Sequence, residues 1–331
     1  MVEIGSEFCN VPVVEKNNEL FHETTQWYIS GRSALKAIIS ELSDCKTVAM
    51  PSWCCDSMIK PFVEAGFDIN FYAVAFNDGL IQELSFDSDV LFLIDYFGYT
   101  DSKIDLSAYK GIIIRDVTHS ILSGSYSDAD YYFGSLRKWC GFWTGGYAWT
   151  NDGHSLDNGM DCDDDYVALR NQAMMQKSEY IEGIRKDKNY LKIFEDAEDK
   201  LECFKIRRAA DRDVSLAKRL DIDLIKDRRR RNAEILRSSF PEIIMFQEIS
   251  STDTPMFVPV LVNDNKRDEL RHYLIEHEIY CPVHWPVSQY HVLNERTNYI
   301  YLNELSLVCD QRYSENDMDR IVETIKVYME A

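Results

Sequence analysis

Positive charge, long apolar runs and ordered cysteine spacing are all scarce in this sequence of 331 residues. Acidic residues outnumber basic ones 56 to 36, for a formal charge of −20. Binding nucleic acid needs a concentrated positive surface, so no nucleic-acid partner is expected. The one basic run, Arg228 to Arg231, lies in a helical stretch from Asp227 to Ser238 and reads as a solvated face or as ion pairs with the acidic surface. Anionic small substrates stay open, because a local pocket can be positive on an acidic protein. No stretch approaches the roughly 18 apolar residues of a membrane span, so no membrane association is expected. Met1 to Asn10 lacks a basic region followed by an apolar run, and no signal peptide is expected. The nine cysteines are scattered from Cys9 to Cys309 without metal-ligand spacing. Cys54-Cys55 are adjacent and Cys281 lies near His284, but neither pair has a second pair at ligand spacing. They read as reduced thiols of a cytoplasmic protein with no bound metal. Walker sequences, internal repeats and low-complexity segments are also missing.

What is present is alternation. Gly31 to Leu42 carries Ala34, Leu35, Ile38, Ile39 and Leu42 at helical spacing. Thr47 to Met50 reads as a strand ended by Pro51, Cys55 to Ala65 as a helix stopped by Gly66, and Asp68 to Val74 as a strand. The apolar runs Asp89 to Phe97, Gly111 to Arg115, Tyr131 to Leu136 and Gly145 to Thr150 complete the set. Such alternation predicts an α/β fold, a three-layer α/β/α domain with a mostly parallel sheet. Ligands of such sheets sit beyond the carboxyl ends of the strands. After the acidic segment Asp161 to Asp165, the chain from Tyr166 to about Phe240 is charged and helical. From Pro241 a smaller α+β unit is predicted: strand 257–262, helix 267–278, strand region 299–308 and closing helix 314–328. We therefore expect a large domain over 1–205, with an N-terminal segment 1–28, and a small α+β domain over 206–331 entered by a long helix.

Polar residues cluster where apolar runs stop. Lys138 follows a strand end three residues after Ser135. A lysine amine condenses with an aldehyde, and a nearby serine can hold a phosphate on the same cofactor; taken alone, the competing view is a solvated surface lysine. Asp116 ends the run Gly111-Ile112-Ile113-Ile114-Arg115. A buried carboxylate needs a partner, and a protonated pyridine nitrogen is one; alternatively Asp116 caps its own turn. His119 either meets a cofactor ring or bonds to backbone carbonyls. Gly31, Arg32 and Ser33 open a helix whose N–H groups suit a phosphate, with Ser30 as an ordinary N-cap in the competing view. In Pro51-Ser52-Trp53-Cys54-Cys55, either Trp53 or the Cys55 position faces a flat ring, or Trp53 is core. Phosphate cradle, stacker, pyridinium partner and lysine thus follow one another along one α/β domain.

In this order the residues resemble the fold-type-I enzymes of pyridoxal 5′-phosphate (PLP), and most the DegT-type sugar aminotransferases. The matching segments are Gly31-Arg32-Ser33-Ala34-Leu35, Pro51-Ser52-Trp53-Cys54-Cys55, Tyr96-Phe97-Gly98, Asp116-Val117-Thr118-His119-Ser120, and Ser135-Leu136-Arg137-Lys138 with Gly145-Gly146. Weaker matches follow at Arg230-Arg231-Asn232, Cys281-Pro282-Val283-His284-Trp285 and Asp310-Gln311-Arg312-Tyr313. Arg115 departs from the family's acidic residue before the aspartate, and the interval from Ser135 to Lys138 is short for a sugar aminotransferase. Relatives with histidine for the lysine become sugar dehydratases, which Lys138 argues against.

The resemblance implies a seven-stranded sheet, PLP as cofactor, a homodimer, and transfer of an amino group from an amino donor such as glutamate to a keto acceptor on a nucleotide-linked sugar. Lys138 is then the catalytic residue. His284 and Trp285 fall in a turn-rich segment where they could meet the substrate, and Arg312 could pair with a carboxylate or phosphate. For each of the three, a purely structural role is the competing view. A lyase or decarboxylase on the same fold, or a non-catalytic binding protein, are the rival functions.

Overall fold

The computed structural model describes residues 3–330, apart from 78, 101–103, 125 and 204. In chain order the elements are β1 (Ile4–Gly5), β2 (Gln26–Tyr28), α1 (Gly31–Ser40), β3 (Thr47–Pro51), α2 (Asp56–Glu64), β4 (Asp68–Phe76), β5 (Leu80–Glu83), β6 (Val90–Ile94), β7 (Ile112–Asp116), β8 (Tyr131–Ser135) and β9 (Gly146–Thr150). Then come α3 (Asp164–Ile181), α4 (Tyr190–Cys203), α5 (Asp211–Lys218), α6 (Ile222–Ser239), β10 (Val258–Leu261), α7 (Arg267–Glu276), β11 (Ile279–Tyr280), α8 (Glu295–Asn303), β12 (Glu304–Leu307) and α9 (Glu315–Glu330).

The main sheet runs β2-β9-β8-β7-β6-β3-β4-β5. Its centre, β4-β3-β6-β7-β8, is parallel; β9 and β5 run against it, and β2, antiparallel to β9, runs with it. That is eight strands where seven were expected: β4 turns back on itself through the short hairpin strand β5, which the sequence reading missed. All five residues of β6, Val90-Leu91-Phe92-Leu93-Ile94, are buried, as a central strand covered on both faces requires. Each such side chain contributes roughly 1.5–3 kcal/mol by leaving water.

A second core gathers Ala233 and Leu236 of α6 and its capping Phe240 with Val258, Val260, Leu270, Leu305, Leu307, Met318 and Ile321. Ile4 of β1 joins it by parallel pairing with Ile279. The stretch 299–308, expected as strand, splits: α8 runs to Asn303 and β12 begins at Glu304. Asn294 caps α8 through the Thr297 N–H, so helix forms first, and pairing with β10 takes over only from Glu304.

The basic run is also not simply a solvated face. Arg229 is 1% exposed. It donates to the Met256 carbonyl at 2.8 Å and to Gln311 at 2.8 Å, and lies over the Trp139 ring at 4.5 Å. Burial of so large a cation is tolerated because carbonyls, an amide and an aromatic face surround it. Arg231 keeps the expected exposed ion pair, with Asp227.

Candidate active site

Asp116 is the last residue of β7, and Ser135 the last of its parallel neighbour β8. Leu136 to Lys138 follow as one tight turn, so Lys138 stands at the carboxyl end of the sheet beside the Asp116 turn. A single side chain ties the two turns: Trp139 Nε1 donates to the Thr118 carbonyl at 2.6 Å. Gln311 holds Trp139 from behind, donating to its carbonyl at 2.7 Å.

Asp116 is 2% exposed, and among the described residues no cation pairs with it. Its Oδ1 accepts from the Thr118 N–H at 2.8 Å. Burial pushes its pKa up to about 6, against the Thr118 bonds and Lys138, and with Asp95 adding to the rise. The Lys138 side chain opens onto the cleft, yet enough protein surrounds it that desolvation, with Arg137 next, holds its ammonium below the ordinary lysine range. A lysine poised in this way is a better nucleophile and base at neutral pH.

The first turn of α1 faces Ser135. A Cβ added at Gly31 would stand 3.5 Å from the Ser135 Cβ. Behind it, a Cβ on Gly146 would run into the Ser30 carbonyl, so only glycine lets β9 pass the helix start. Ser30 caps α1 as the simple view held, accepting from the Ser33 N–H at 3.2 Å. The N–H groups of Gly31 and Arg32 have no acceptor within the helix. Two expected side-chain contacts differ. The Ser33 hydroxyl is 3% exposed and accepts from the Arg207 N–H at 2.8 Å, so it anchors that segment and does not face a phosphate. Arg32 pairs with Glu198 at 3.2 Å and with Glu202, both from α4. Arg137, which the sequence reading passed over, pairs with Glu198 as well, and its Nε is buried without a partner.

Trp53 is corrected outright. It is fully buried, donates its indole N–H to the His284 carbonyl at 2.6 Å, and stacks on Tyr96 at 4.8 Å. No face of the ring is left for a ligand. Cys55 caps the start of α2, with its Sγ 2.8 Å from Ser57 Oγ. Burial raises its thiol pKa against the Ser57 bond, and Lys138 and Asp116 both act on it electrostatically.

His119 accepts the Phe97 N–H on Nδ1 at 3.2 Å, and its ring stacks on Trp285 at 5.8 Å. Burial pushes its pKa down to about 3, with Lys138 adding, so it is neutral at pH 7. His284 packs edge-on to both His119 at 5.6 Å and Trp285 at 5.2 Å. The large and small cores therefore meet at an aromatic cluster next to Lys138. Gly98 shapes it: its φ is +79°, and a Cβ there would strike the Thr254 carbonyl.

Arg312 fills the structural role that competed with substrate contact. It grips Asp310 at 2.8 and 2.9 Å, donates to the Glu7 carbonyl at 3.0 Å and to that of Ser6 at 3.2 Å, and covers the Phe8 ring at 3.9 Å. It clasps the N-terminal strand segment to the second core. A cavity of about 620 Å³ lined by Asp95, Arg115, Tyr126 and Phe246 is separate from this site. Arg115 and Asp116 alternate along β7 and point to opposite faces of the sheet.

No family model matches the sequence, and no curated protein does. Solved structures do match. DesV from S. venezuelae superposes with a TM-score of 0.65 and 17% identity, over 93% of this chain and 85% of that one. Spr1654 from Streptococcus pneumoniae, in its PLP form, gives 0.64 and 14% over 98% and 92%. A DegT DnrJ EryC1 StrS aminotransferase from Brucella abortus gives 0.60 and 14% over 92% and 85%. The chain has the DegT-type aminotransferase fold. In that fold Asp116, Ser135 and Lys138 occupy the carboxyl ends of adjacent strands, where ligands of open α/β sheets bind.

Among the described residues no group of histidine, cysteine and acidic side chains could hold a metal. No helix of the described residues is long and apolar enough to cross a membrane.

Proposed function

We propose that this chain is a PLP-dependent aminotransferase that moves an amino group from an amino acid, glutamate first among candidates, to a keto group on a nucleotide-linked sugar. The observation that carries the reading is the convergence of Lys138 and Asp116 at the ends of β8 and β7, with the α1 N-terminus and Ser135 alongside. Likeness of fold to structures whose names include sugar aminotransferases supports it.

The residues suit the cofactor. The orphaned Nε of Arg137, beside Ser135 and Lys138 in sequence, asks for an acceptor, and a phosphate is one. Asp116 has no counter-charge among the described residues, and a pyridinium N–H supplies one. When bound, PLP supplies an aldehyde that condenses with amines and a ring that accepts electrons.

The chain's own groups do the rest. Lys138 Nζ holds the cofactor and is the base that removes and returns the substrate proton. Asp116 keeps the ring nitrogen protonated. The N–H groups of Gly31 and Arg32 and the Ser135 hydroxyl hold the phosphate, with Arg137 beside them. Neutral His119 offers its Nε2–H towards the cofactor, and His284 and Trp285 border the substrate. The reading includes a homodimer, which light scattering on purified protein checks.

The deciding experiment is the absorption spectrum of the PLP-loaded protein before and after glutamate. A cofactor band that converts to the pyridoxamine form supports the reading. A bound band indifferent to every amino donor turns it into a lyase or decarboxylase, and no band at all rejects it.

A further inference from the structure

Behind His284 lies a buried polar chain that the proposed reaction does not use. Glu304, the first residue of β12, is fully buried. Its Oε2 accepts the His284 backbone N–H at 2.7 Å. Its Oε1 accepts from the Ser306 hydroxyl at 2.5 Å. Ser306 Oγ in turn lies 2.8 Å from His284 Nδ1. The direct gap from Nδ1 to Oε1 is 4.0 Å, so the serine hydroxyl is the link. His284 Nε2 bonds to no described residue.

We propose that Glu304, acting through the Ser306 hydroxyl, sets the tautomer of His284 and so decides whether Nε2 meets the substrate as a hydrogen-bond donor or acceptor. This rests on the reading of the cleft as the active site. The hydrogen-bond inventory leaves one arrangement for each state. When Glu304 is ionised, Oε1 takes the serine proton, Ser306 Oγ must then accept from Nδ1–H, and Nε2 is left bare. When Glu304 is neutral, its proton sits on Oε1, because Oε2 already accepts an N–H. Oε1–H then donates to Ser306, Ser306 donates to Nδ1, and the ring proton moves to Nε2. No charge reaches the histidine in either state. Burial, then His119 and Lys138, hold its pKa well below the ordinary histidine value.

The switch falls in a usable range. Burial pushes the Glu304 carboxyl up to about 8, against the Ser306 and His284 bonds and the nearby Arg267. Arg267 donates to the Glu304 backbone carbonyl at 2.9 Å and also pairs with Asp268, and the Cys281 thiol feels Glu304 as well. The facing strand β10, Val258-Pro259-Val260-Leu261, carries no titratable group. On the far side His284 faces His119 and Lys138.

The test uses the full chain loaded with PLP and carrying isotopically labelled histidine. NMR reads which ring nitrogen of each of the 7 histidines bears the proton, between about pH 6.5 and about pH 9.5. His284→Gln assigns the His284 signals. In the wild type, His284 is expected to pass from Nε2–H to Nδ1–H as pH rises. In Glu304→Gln the amide oxygen must still accept the His284 N–H, so its NH₂ faces Ser306 and the ring stays Nε2–H at every pH. Ser306→Ala, which cuts the link without touching the carboxylate, is expected to abolish the pH dependence and serves if the glutamine variant does not fold. A wild-type tautomer that never changes, or a switch that survives in either variant, overturns the proposal. Absorbance of the same sample with an amino donor tests the function separately. A switching but inactive protein keeps the relay and rejects the function. An active protein without the switch does the reverse.

Discussion

The two banks of the cleft are built differently. On the sheet bank, Asp116, Ser135 and Lys138 come from adjacent strand ends within 23 residues of one another in sequence, each at or just past the end of a strand. On the opposite bank, His284 is held by Glu304 and Ser306 across a strand, while Arg312, equally conspicuous in sequence, only clasps the N-terminal segment. A strand end exposes its next residue by geometry alone. A side chain on the second bank is exposed or locked according to which partners the tertiary fold brings to it.

The first way to test this contrast is Lys138→Ala. Activity should fall by about 10³-fold or more, since the nucleophile and the base are lost together. The PLP band should shift as well. Steady-state rates and the spectrum check both.

Arg312→Ala should leave KM unchanged and lower stability by up to about 3–5 kcal/mol, because Asp310 stays buried without its cation. Burial alone would raise the Asp310 pKa, but Arg312 outweighs it and holds the carboxyl below its ordinary value. The pair's stabilisation is therefore present above the unfolded Asp pKa and is lost as pH falls through the folded value. Urea midpoints measured from neutral to acid pH should converge for the two proteins. A raised KM in the variant would return Arg312 to the substrate site.

Asp116→Asn should do the opposite of a usual site mutation. Its folded pKa, about 6, lies above the ordinary aspartate value of 3.8, so its ionisation destabilises the cofactor-free fold above that range. The variant should gain at most about 3 kcal/mol at pH 7, and the gain should fade as pH falls through about 6 towards 4. Turnover should drop at the same time. Thermal melts of cofactor-free protein at two pH values decide it.

The smallest effect separates two neighbouring serines. Ser135→Ala should weaken PLP binding by about tenfold, the worth of one hydrogen bond to a charged group. Ser33→Ala should leave PLP affinity unchanged, because its hydroxyl is held by the Arg207 N–H. Fluorescence titration with PLP tells them apart.

Much of the sheet bank was legible because periodicity and strand-end position are local properties. The helix from Gly31, the apolar runs Gly111 to Arg115 and Tyr131 to Leu136, and the paired glycines after Lys138 could all be read in order. Cys55 against Trp53 could not, since both fit the spacing; only the fold buries Trp53 between Tyr96 and the His284 carbonyl. Glu304 left only a faint trace, an acidic residue at the head of an apolar strand, and nothing local links it to a histidine 20 residues earlier.

What this sequence determined by itself is the layered α/β scaffold and the set of polar residues at its strand ends, because apolar periodicity and chain direction alone specify them. Which arginine is buried, which aromatic ring has a free face, and which carboxylate stands behind His284 were decided by tertiary structure. Those properties depend on desolvation and on partners distant in sequence, and neither is encoded in any short window of the chain.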